Sequence, residues 1–262
     1  MQQPSLILAS LVLGTVAWVP LPAWAGFSLG AGVEQYRWQE TFPSGAAADR
    51  EQGARYALFL RDELPLDQRL SVVLRSKLYS GHPGYAGQTQ VGVPISAATD
   101  SLGLDNALLG VFHATLLHRP VDYSAGVGYD LWRRDIRNPA GGDQVEDWAV
   151  TYARAGIELF EHRHRGWHGG ADLTYVLHVS ENLHLTELGG DANPGLSPGG
   201  ALGYGLNAGY RFDRHWDLAG YWRHRSFSRS PAVQASFSGT PATVYQPKSV
   251  NDLYGVALAY RF

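Results

Sequence analysis

The sequence predicts an all-β fold: a transmembrane antiparallel up-and-down β-barrel of about ten strands, with long loops at one end and short turns at the other. Three observations carry this prediction. Stretches of alternating apolar and polar residues recur along residues 26–262, and the segments between them are alternately long and short. After residue 25 no apolar run approaches the roughly 18 residues that a transmembrane helix needs. Glycine (31 residues) and aromatic residues (12%) are abundant, whereas only 17% of residues are charged.

Residues 1–25 are predicted to be a cleaved signal peptide. The apolar stretch at 6–19 is followed by Ala23-Trp24-Ala25, which places small residues at the two positions that a signal peptidase reads. A retained inner-membrane anchor is the alternative, but the stretch is short for a membrane span. We expect one barrel domain at residues 26–262, exported through the periplasm.

The first five predicted strands begin at Phe27 and at about residues 54, 69, 106 and 121. The third, at about 69–80, is the plainest, with Leu70, Val72, Leu74 and Leu78 outward and Ser71, Arg75 and Lys77 inward. The segment at about 80–105 holds Pro83, Pro94 and five glycines. No continuous strand is expected there, because proline donates no hydrogen bond to a strand ladder.

Five further strands are expected at 147–160, 167–180, 200–212, 216–226 and from about residue 250 to Phe262. In the strand at 167–180, His178 is expected to point inward and Val179 outward. Five long separators and four short turns alternate along the chain. This alternation is typical of a membrane barrel with its long loops on one side and its tight turns on the other.

A soluble barrel is the alternative explanation for alternating strands. It would bury the larger aromatic residues, whereas here glycine, alanine, serine and charged residues share the second face. In water it would also expose a face of leucine, tyrosine and phenylalanine that is much larger than a soluble protein tolerates. The membrane barrel is therefore favoured.

The last ten residues, LYGVALAYRF from Leu253 to Phe262, place aromatic residues at alternate positions and end in phenylalanine. This segment resembles the C-terminal strand of bacterial outer-membrane β-barrel proteins. The resemblance implies a Gram-negative outer-membrane location, contact with outer-membrane lipid, and recognition of Tyr260 and Phe262 by the barrel-assembly machinery. It implies no activity, because fold alone does not specify function.

The predicted lumen is narrow and charged. About eight strands give a filled interior, and wide pores need about sixteen. Buried charges persist when they are paired, so we expect a lumen charge network of Glu34, Arg75, Lys77, Asp130, Arg154, Glu158, Asp172 and Arg211. The alternative is a narrow polar path for small solutes.

Arginines cluster where the fifth and ninth strands meet the long loops. Guanidinium groups bind phosphates bidentately, so candidates for lipopolysaccharide binding are Arg133, Arg134, Arg137, Arg223, Arg225 and Arg229. The alternative is that these arginines form salt bridges with Asp135, Asp143, Glu146 and Asp147. The net charge of −3 argues against nucleic acid as a partner.

One segment has the residue types of a hydrolase. His178 and Ser180 are two apart on one strand, and Glu187 follows in the loop. An imidazole can act as base for a hydroxyl, with a carboxylate orienting the imidazole. The His-x-Ser spacing resembles the motif of outer-membrane lipid A deacylases, in which the pair faces the bilayer. Here the pair is expected to point inward, and three strands follow it.

The expected barrel size also resembles that of the omptin proteases, which use an adjacent acidic pair and an Asp-His pair. No Asp-Asp or Asp-His dipeptide occurs in this chain, so no catalytic residue is carried over. His162, His164 and His168 lie near one turn, but Arg163 and Arg165 between them would repel a cation. We therefore expect no metal site, no cofactor and a structural or surface-interaction role with an unknown surface ligand.

Overall fold

The structure is a computed structural model that describes residues 26–88, 94–137 and 142–262. The predicted signal peptide lies outside the described residues. Within the described ranges, no helix is long and apolar enough to cross a membrane.

The described chain is almost entirely β-strand. Its elements are β1 (Ser28–Thr41), β2 (Ala47–Pro65), β3 (Leu70–Gly81), β4 (Gly84–Gln88), β5 (Pro94–Leu116), β6 (Arg119–Arg137), β7 (Gln144–Phe160), β8 (Gly166–Leu183), a 3₁₀ turn (Leu185–Leu188), β9 (Gly195–Leu196), β10 (Gly199–Gly200), β11 (Leu202–Arg211), β12 (Trp216–Ser228), β13 (Val233–Phe237), β14 (Thr240–Val244) and β15 (Lys248–Arg261).

Ten of these strands close into an antiparallel barrel, as the sequence predicts. Around the wall their order is β1, β2, β3, β5, β6, β7, β8, β11, β12 and β15. The barrel closes where β1 pairs with β15, from Ser28 opposite Arg261 to Thr41 opposite Lys248. We call the end with the long connections the loop end and the opposite end the turn end.

Tight turns close the turn end through local hydrogen bonds. The Asp67 carboxylate accepts the backbone N–H groups of Arg69 and Leu70 at 2.6 and 2.8 Å. An aspartate that accepts hydrogen bonds from the residues just after it is a common turn-forming device. Leu117 and His118, between β5 and β6, both have positive φ, at 49° and 64°. This is the backbone that a two-residue hairpin of matching twist requires.

Outward residues form an apolar band that starts at the turn end. Toward the loop end the outward positions become polar. The last apolar and first polar outward residues are Val33 and Gln35 on β1, Leu131 and Arg133 on β6, Leu177 and His178 on β8, and Trp222 and His224 on β12. The strands continue beyond this edge, so part of the barrel wall stands above the band. Such a band is the lipid-facing surface expected of a membrane barrel.

Several strands are longer than the sequence predicts, and the extensions of β2 and β5 are the largest. β2 begins at Ala47 and β5 at Pro94, because these segments pair with β4 and form a raised part of the wall. The expectation of no continuous strand at 80–105 therefore fails from Pro94 onward. Both prolines occupy permitted positions: Pro83 lies between β3 and β4, and Pro94 is the first residue of its strand.

A β-bulge in β8 reverses the predicted facing of its last residues. Thr151 of β7 pairs with His178, but the next residue, Tyr152, pairs with Val176, which leaves Leu177 as the extra residue. A one-residue shift exchanges the two faces of a strand. Val179 is therefore buried in the lumen, and His178 and Ser180 point outward.

Candidate functional site

A layer of aromatic side chains fills the lumen at the loop-end edge of the apolar band. Trp132 and Trp148 stack with ring centroids 5.1 Å apart and 11° between their planes. Trp38 meets Trp148 edge-on at 5.4 Å, and Phe227 lies 5.7 Å from Trp148. Trp38 and Trp148 are each 1% exposed. We call these four residues the aromatic layer.

A buried group of charged residues, the ionic layer, lies on the loop-end side of the aromatic layer. Its centre is Arg134, which is 1% exposed and binds the carboxylates of Glu146, Glu51 and Glu40 at 2.7, 2.8 and 3.2 Å. The Arg134 guanidinium also lies 4.8 Å from the ring of Trp38. A buried guanidinium with several carboxylate partners is held in one position, because release of any partner leaves a charge unpaired.

The two layers arise from one sequence pattern. On three strands a tryptophan and a charged residue stand two positions apart, at Trp38 and Glu40, Trp132 and Arg134, and Glu146 and Trp148. Residues two apart on a strand share a face, so each pair stacks vertically within the lumen. The indole nitrogens of Trp38 and Trp148 donate to Glu40 and Glu146 at 2.8 and 3.0 Å.

The ionic layer has more acids than its arginine can balance. Glu181 is 1% exposed, and neither of its carboxylate oxygens has a hydrogen-bond partner in the described part of the chain. Burial raises the pKa of Glu181 well above its usual range, and the charges of Glu146 and Glu40 raise it further. Burial and the neighbouring Glu40 likewise raise the pKa of Asp49.

Below the aromatic layer, ion pairs cross the lumen and form a middle charge layer. Glu34 is fully buried and accepts hydrogen bonds from Arg55, Lys77 and Tyr221 at 3.0, 3.0 and 2.7 Å. Asp130 pairs with Arg225 at 2.8 Å, and Asp105 pairs with Arg223 at 3.2 Å. A cavity of only about 60 Å³ remains between this layer and the aromatic layer.

A larger cavity, the vestibule, fills the turn-end part of the lumen. It measures about 640 Å³ and extends from the middle charge layer to Gly26 and Asp67 at the turn end. Ion pairs line its wall, among them Arg154 with Asp172 at 2.9 Å and Arg211 with Asp217 at 3.2 Å. The lumen is thus open toward the turn end and filled toward the loop end.

The eight residues predicted to form a lumen charge network all point into the lumen. Seven of them have a close carboxylate or cation partner: Glu34, Lys77, Asp130, Arg154, Glu158, Asp172 and Arg211. Arg75 and Glu158 approach each other only to 3.9 Å. The ionic layer was not predicted from the sequence. Its acids, Glu40, Glu51, Glu146 and Glu181, come from four different strands.

The six arginines proposed for lipopolysaccharide divide into two groups. Arg134, Arg223 and Arg225 point inward and are paired with acids, which corrects the prediction for these three. Arg133, Arg137 and Arg229 lie at the surface. Arg133 approaches Asp147 at 3.4 Å, Arg137 binds Asp100 at 2.6 Å, and Arg229 lies 5.4 Å from the ring of Tyr245.

A second set of surface cations lies just above the apolar band. Arg37, Arg50 and Lys248 are exposed on the adjacent strands β1, β2 and β15. Gln39 lies opposite Arg50, and Thr41 lies opposite Lys248, so Arg50 is two residue steps along the strands from Arg37 and two from Lys248. None of them forms a salt bridge within the described part of the chain. We call these three residues the basic patch.

The hydrolase candidates are not assembled into a triad. His178 and Ser180 point outward at the edge of the apolar band, which corrects the expected inward orientation. Glu187 lies in the 3₁₀ turn after β8, 3.8 Å from Nδ1 of His184. His184 in turn lies 2.8 Å from Asp147. The predicted carboxylate is thus next to a different histidine.

The long loops at the loop end form a packed cap. Leu183, Leu185, Leu196 and Val244 make an apolar cluster between the loop after β8 and the loop that carries β13 and β14. The Asp191 carboxylate joins the two loops by accepting hydrogen bonds from Ser236 Oγ at 2.5 Å and from the Gly239 N–H at 3.0 Å. These hydrogen bonds hold the pKa of Asp191 below its usual range.

The last strand ends at the turn end of the closing seam. Tyr260 faces outward, and its ring lies 5.0 Å from that of Phe262. Phe262 also packs against Phe27 at 5.4 Å. The two residues proposed as an assembly signal therefore lie on the outer surface beside the first strand.

Solved structures resemble this fold, although no protein-family model and no curated protein matches the sequence. The outer membrane protease OmpT of Escherichia coli matches with a TM-score of 0.55 and 11% identity, over 92% of this chain and 98% of that chain. The transport unit of the autotransporter AIDA-I of Escherichia coli matches with a TM-score of 0.51 and 8% identity, over 97% of each chain. At these identities the likeness concerns the fold alone.

Proposed function

We propose that this chain, which has the fold of an outer-membrane β-barrel, is a closed barrel of the Gram-negative outer membrane with a surface-interaction role. Its loop end would face the outside of the cell and its turn end the periplasm. The C-terminal residues Tyr260 and Phe262 would be recognised by the barrel-assembly machinery. The cap and the raised wall would form the interacting surface.

The closed lumen is the observation that carries this proposal. Trp38, Trp132, Trp148 and Phe227 span the lumen in contact with one another, and the Arg134 cluster covers them. A solute that crossed the barrel would have to push apart the side chains of the aromatic layer and then those of the ionic layer. Separation would expose a buried guanidinium without its partners, which is strongly unfavourable. This argues against the alternative of a narrow channel for small solutes.

Ion conductance across a planar bilayer tests the closed lumen. We expect no steady conductance from the purified wild-type protein. The double variant Trp148→Ala, Phe227→Ala should conduct, because it removes two of the four rings that fill the lumen. Trp167→Ala is the matched control, since Trp167 faces outward from the apolar band and its loss leaves the lumen filled. Steady wild-type conductance would support the channel instead.

We also propose that the basic patch binds the phosphates of lipopolysaccharide. Arg37, Arg50 and Lys248 stand just above the apolar band, at the expected height of the lipid phosphates, and have no carboxylate partners in the described chain. Guanidinium groups bind phosphate oxygens bidentately. Arg133 and Arg137 are weaker candidates, because Arg133 already forms an ion pair with Asp147 and Arg137 already donates hydrogen bonds to Asp100.

The temperature of unfolding in the presence of added lipid tests this binding. Intact lipopolysaccharide should raise the wild-type unfolding temperature more than lipopolysaccharide without its lipid A phosphates. Arg37→Gln with Arg50→Gln should abolish that difference, and Arg119→Gln, at the turn end, should preserve it. High salt should also reduce it, because exposed charges are screened. Equal stabilisation by both lipids would contradict phosphate binding.

A lipid-modifying hydrolase is the second candidate, and the bulge at Leu177 is the observation that favours it. The bulge turns His178 and Ser180 outward at the edge of the apolar band, where an acyl ester of a membrane lipid could approach. Against it, Glu187 contacts His184 rather than His178. A protease is not proposed, because the chain lacks both catalytic dipeptides of the omptin proteases.

Mass spectrometry of lipid A tests whether the protein is such a hydrolase. Cells that express the wild-type protein would carry lipid A that lacks an acyl chain, and cells that express His178→Ala or Ser180→Ala would carry unmodified lipid A. His184→Ala is the control, since the His184 ring contacts Asp147 and is not part of the His178 and Ser180 pair. Unmodified lipid A in wild-type cells would remove the hydrolase from consideration.

A further inference from the structure

We infer that the vestibule binds a compact oxyanion, of the phosphate or carboxylate class, through Arg61, Arg75 and Arg261. This inference concerns the turn-end lumen and is independent of the surface role proposed above. We call these three residues the arginine row.

The strand register places the arginine row side by side across four strands. Arg61 of β2 lies directly opposite Arg75 of β3. On its other side Arg61 lies opposite Ser28 of β1, and Ser28 lies opposite Arg261 of β15. All four side chains line the vestibule. Three guanidinium groups and one hydroxyl, all hydrogen-bond donors, are thus aligned on one part of its wall.

The arginine row has too few acids to balance it. Arg61 has a close partner, Glu63, at 2.7 Å. The nearest carboxylate oxygen to Arg75 is on Glu158, at 3.9 Å, and the Nε of Arg75 has no hydrogen-bond partner in the described chain. Like charges directly opposite each other on neighbouring strands are destabilising. A bound anion would remove this repulsion.

Arg261, in the same row, has no carboxylate partner in the described part of the chain. No ion pair joins it to any described acid, and its charged neighbours are Arg211 and Arg61 together with Asp217 and Glu63, which already bind Arg211 and Arg61. By contrast, the other vestibule arginines have acids at close range, including Arg154 with Asp172 and Arg163 with Asp122 at 2.9 and 2.8 Å. The excess of positive charge in the vestibule is therefore concentrated on the arginine row.

The nearby acids do not neutralise this excess, because they are already engaged. Glu158 and Asp217 lie on either side of His168, at 3.2 and 3.0 Å from its two ring nitrogens. Asp217 also accepts a hydrogen bond from Arg211 at 3.2 Å. The row therefore faces open cavity rather than free carboxylates.

The shape of the cavity indicates what can bind and from where. A volume of about 640 Å³ accommodates a small anion with its water. The aromatic layer fills the lumen on the loop-end side, so the anion would enter from the turn end, which faces the periplasm in the proposed orientation. Bidentate guanidinium donors suit tetrahedral phosphate and planar carboxylate groups.

Calorimetric titration of inorganic phosphate into the purified barrel in zwitterionic detergent tests the site. We expect saturable binding of one phosphate to the wild-type protein. Arg75→Gln should weaken it by about tenfold or more, since a charge-assisted hydrogen bond and a charge are lost. Arg69→Gln, an exposed arginine at a turn outside the vestibule, is the matched control and should bind as the wild type does.

Additional titrations and variants distinguish phosphate from carboxylate ligands, and the vestibule from the basic patch. Titrations with acetate and with chloride at equal ionic strength show whether phosphate, carboxylate or neither is preferred. Arg37→Gln with Arg50→Gln removes any phosphate bound at the basic patch, so saturable binding that persists in this variant and weakens in Arg75→Gln belongs to the vestibule. If Arg75→Gln does not assemble, Arg75→Lys keeps the charge but loses the planar fork and should still weaken binding. Absent wild-type binding, or equal binding by the Arg75 variants, would overturn the inference.

Discussion

The indole nitrogen of Trp148 donates a hydrogen bond at 3.0 Å to the same Glu146 carboxylate oxygen that accepts one from Arg134 at 2.7 Å. This shared acceptor connects the aromatic layer to the ionic layer. Trp148→Phe keeps a ring but removes the donor, which leaves a buried carboxylate with one partner fewer. We expect a loss of about 1–3 kcal/mol in the free energy of unfolding. Urea unfolding in lipid vesicles measures it.

The control for this change is Trp167→Phe, at an outward position on β8. Its effect should stay within about 0.5 kcal/mol, as for most surface substitutions. An equal effect of the two substitutions would mean that the hydrogen bond to Glu146 contributes nothing.

Replacing Arg134 should destabilise the barrel more than Trp148→Phe does. Arg134→Met leaves Glu40, Glu51 and Glu146 buried without their cation. Breaking a buried ion pair in this way costs about 3–5 kcal/mol. Adding Glu146→Gln and Glu51→Gln to Arg134→Met should recover part of the loss, because fewer unpaired charges remain. Unfolding free energies of the three proteins measure this, and additive losses would contradict it.

The unpartnered carboxyl of Glu181 should make the loop end more stable in mild acid. Because burial raises the pKa of Glu181 in the folded state, its protonated form is favoured there. Its contribution is complete below the ordinary value of 4.5 and is lost as the pH rises through the raised value. Glu181→Gln should therefore stabilise the protein at neutral pH and reduce the pH dependence of unfolding. Glu187→Gln, on an exposed carboxyl, should change neither.

The Asp191 contact between the two cap loops should respond to pH in the opposite direction. Hydrogen bonds from Ser236 and Gly239 lower the pKa of Asp191, so its contribution is present above the ordinary value of 3.8 and is lost as the pH falls through the lowered value. Asp191→Ala should loosen the cap at neutral pH, and the wild type should loosen only in strong acid. Limited proteolysis of the loops reports this. Equal cleavage of both proteins at neutral pH would contradict it.

The bulge at Leu177 can be tested by labelling single cysteines, because the chain has no native cysteine and therefore no background. His178→Cys should react with a membrane-impermeant maleimide in the folded barrel. Val179→Cys should react only after unfolding. The reverse order would restore the regular alternation that the sequence predicts for β8. Deleting Leu177 should keep the order seen in the wild type, because His178 then directly follows the inward Val176 and Val179 stays inward by regular alternation.

The sequence predicts the barrel well because the alternation of apolar and polar residues is visible within each strand separately. Period-two alternation identifies the strands, and in β3 it gives the correct facing of all seven residues assigned between Leu70 and Leu78. The alternation gives the wrong facing after Leu177, because this extra residue exchanges the two faces of β8 and nothing in the residue types marks it. It also misses the start of β2 at Ala47, since above the apolar band both faces of a strand are polar.

The ionic layer could not be predicted from the sequence for a different reason. Which acids meet Arg134 depends on how far each strand rises relative to its neighbours, and a single sequence does not specify this. A usable signal was nevertheless present. A tryptophan two positions from a charge occurs at Trp38, Trp132 and Trp148, and on strands this spacing stacks an aromatic ring beneath a charge. The same parity argument predicts that Arg223 and Arg225 face inward, as the structure has them.

The seam between β1 and β15 imposes an order on assembly. The paired residues, from Ser28 with Arg261 to Thr41 with Lys248, are separated by most of the chain. Contacts between such distant residues form slowly, because a long loop must first be closed. Until then the sheet has two open edges, each able to pair with another chain. The vulnerable stage of this protein is therefore an almost complete sheet that awaits a single pairing, and a segment that competes for β1 or β15 would prevent closure.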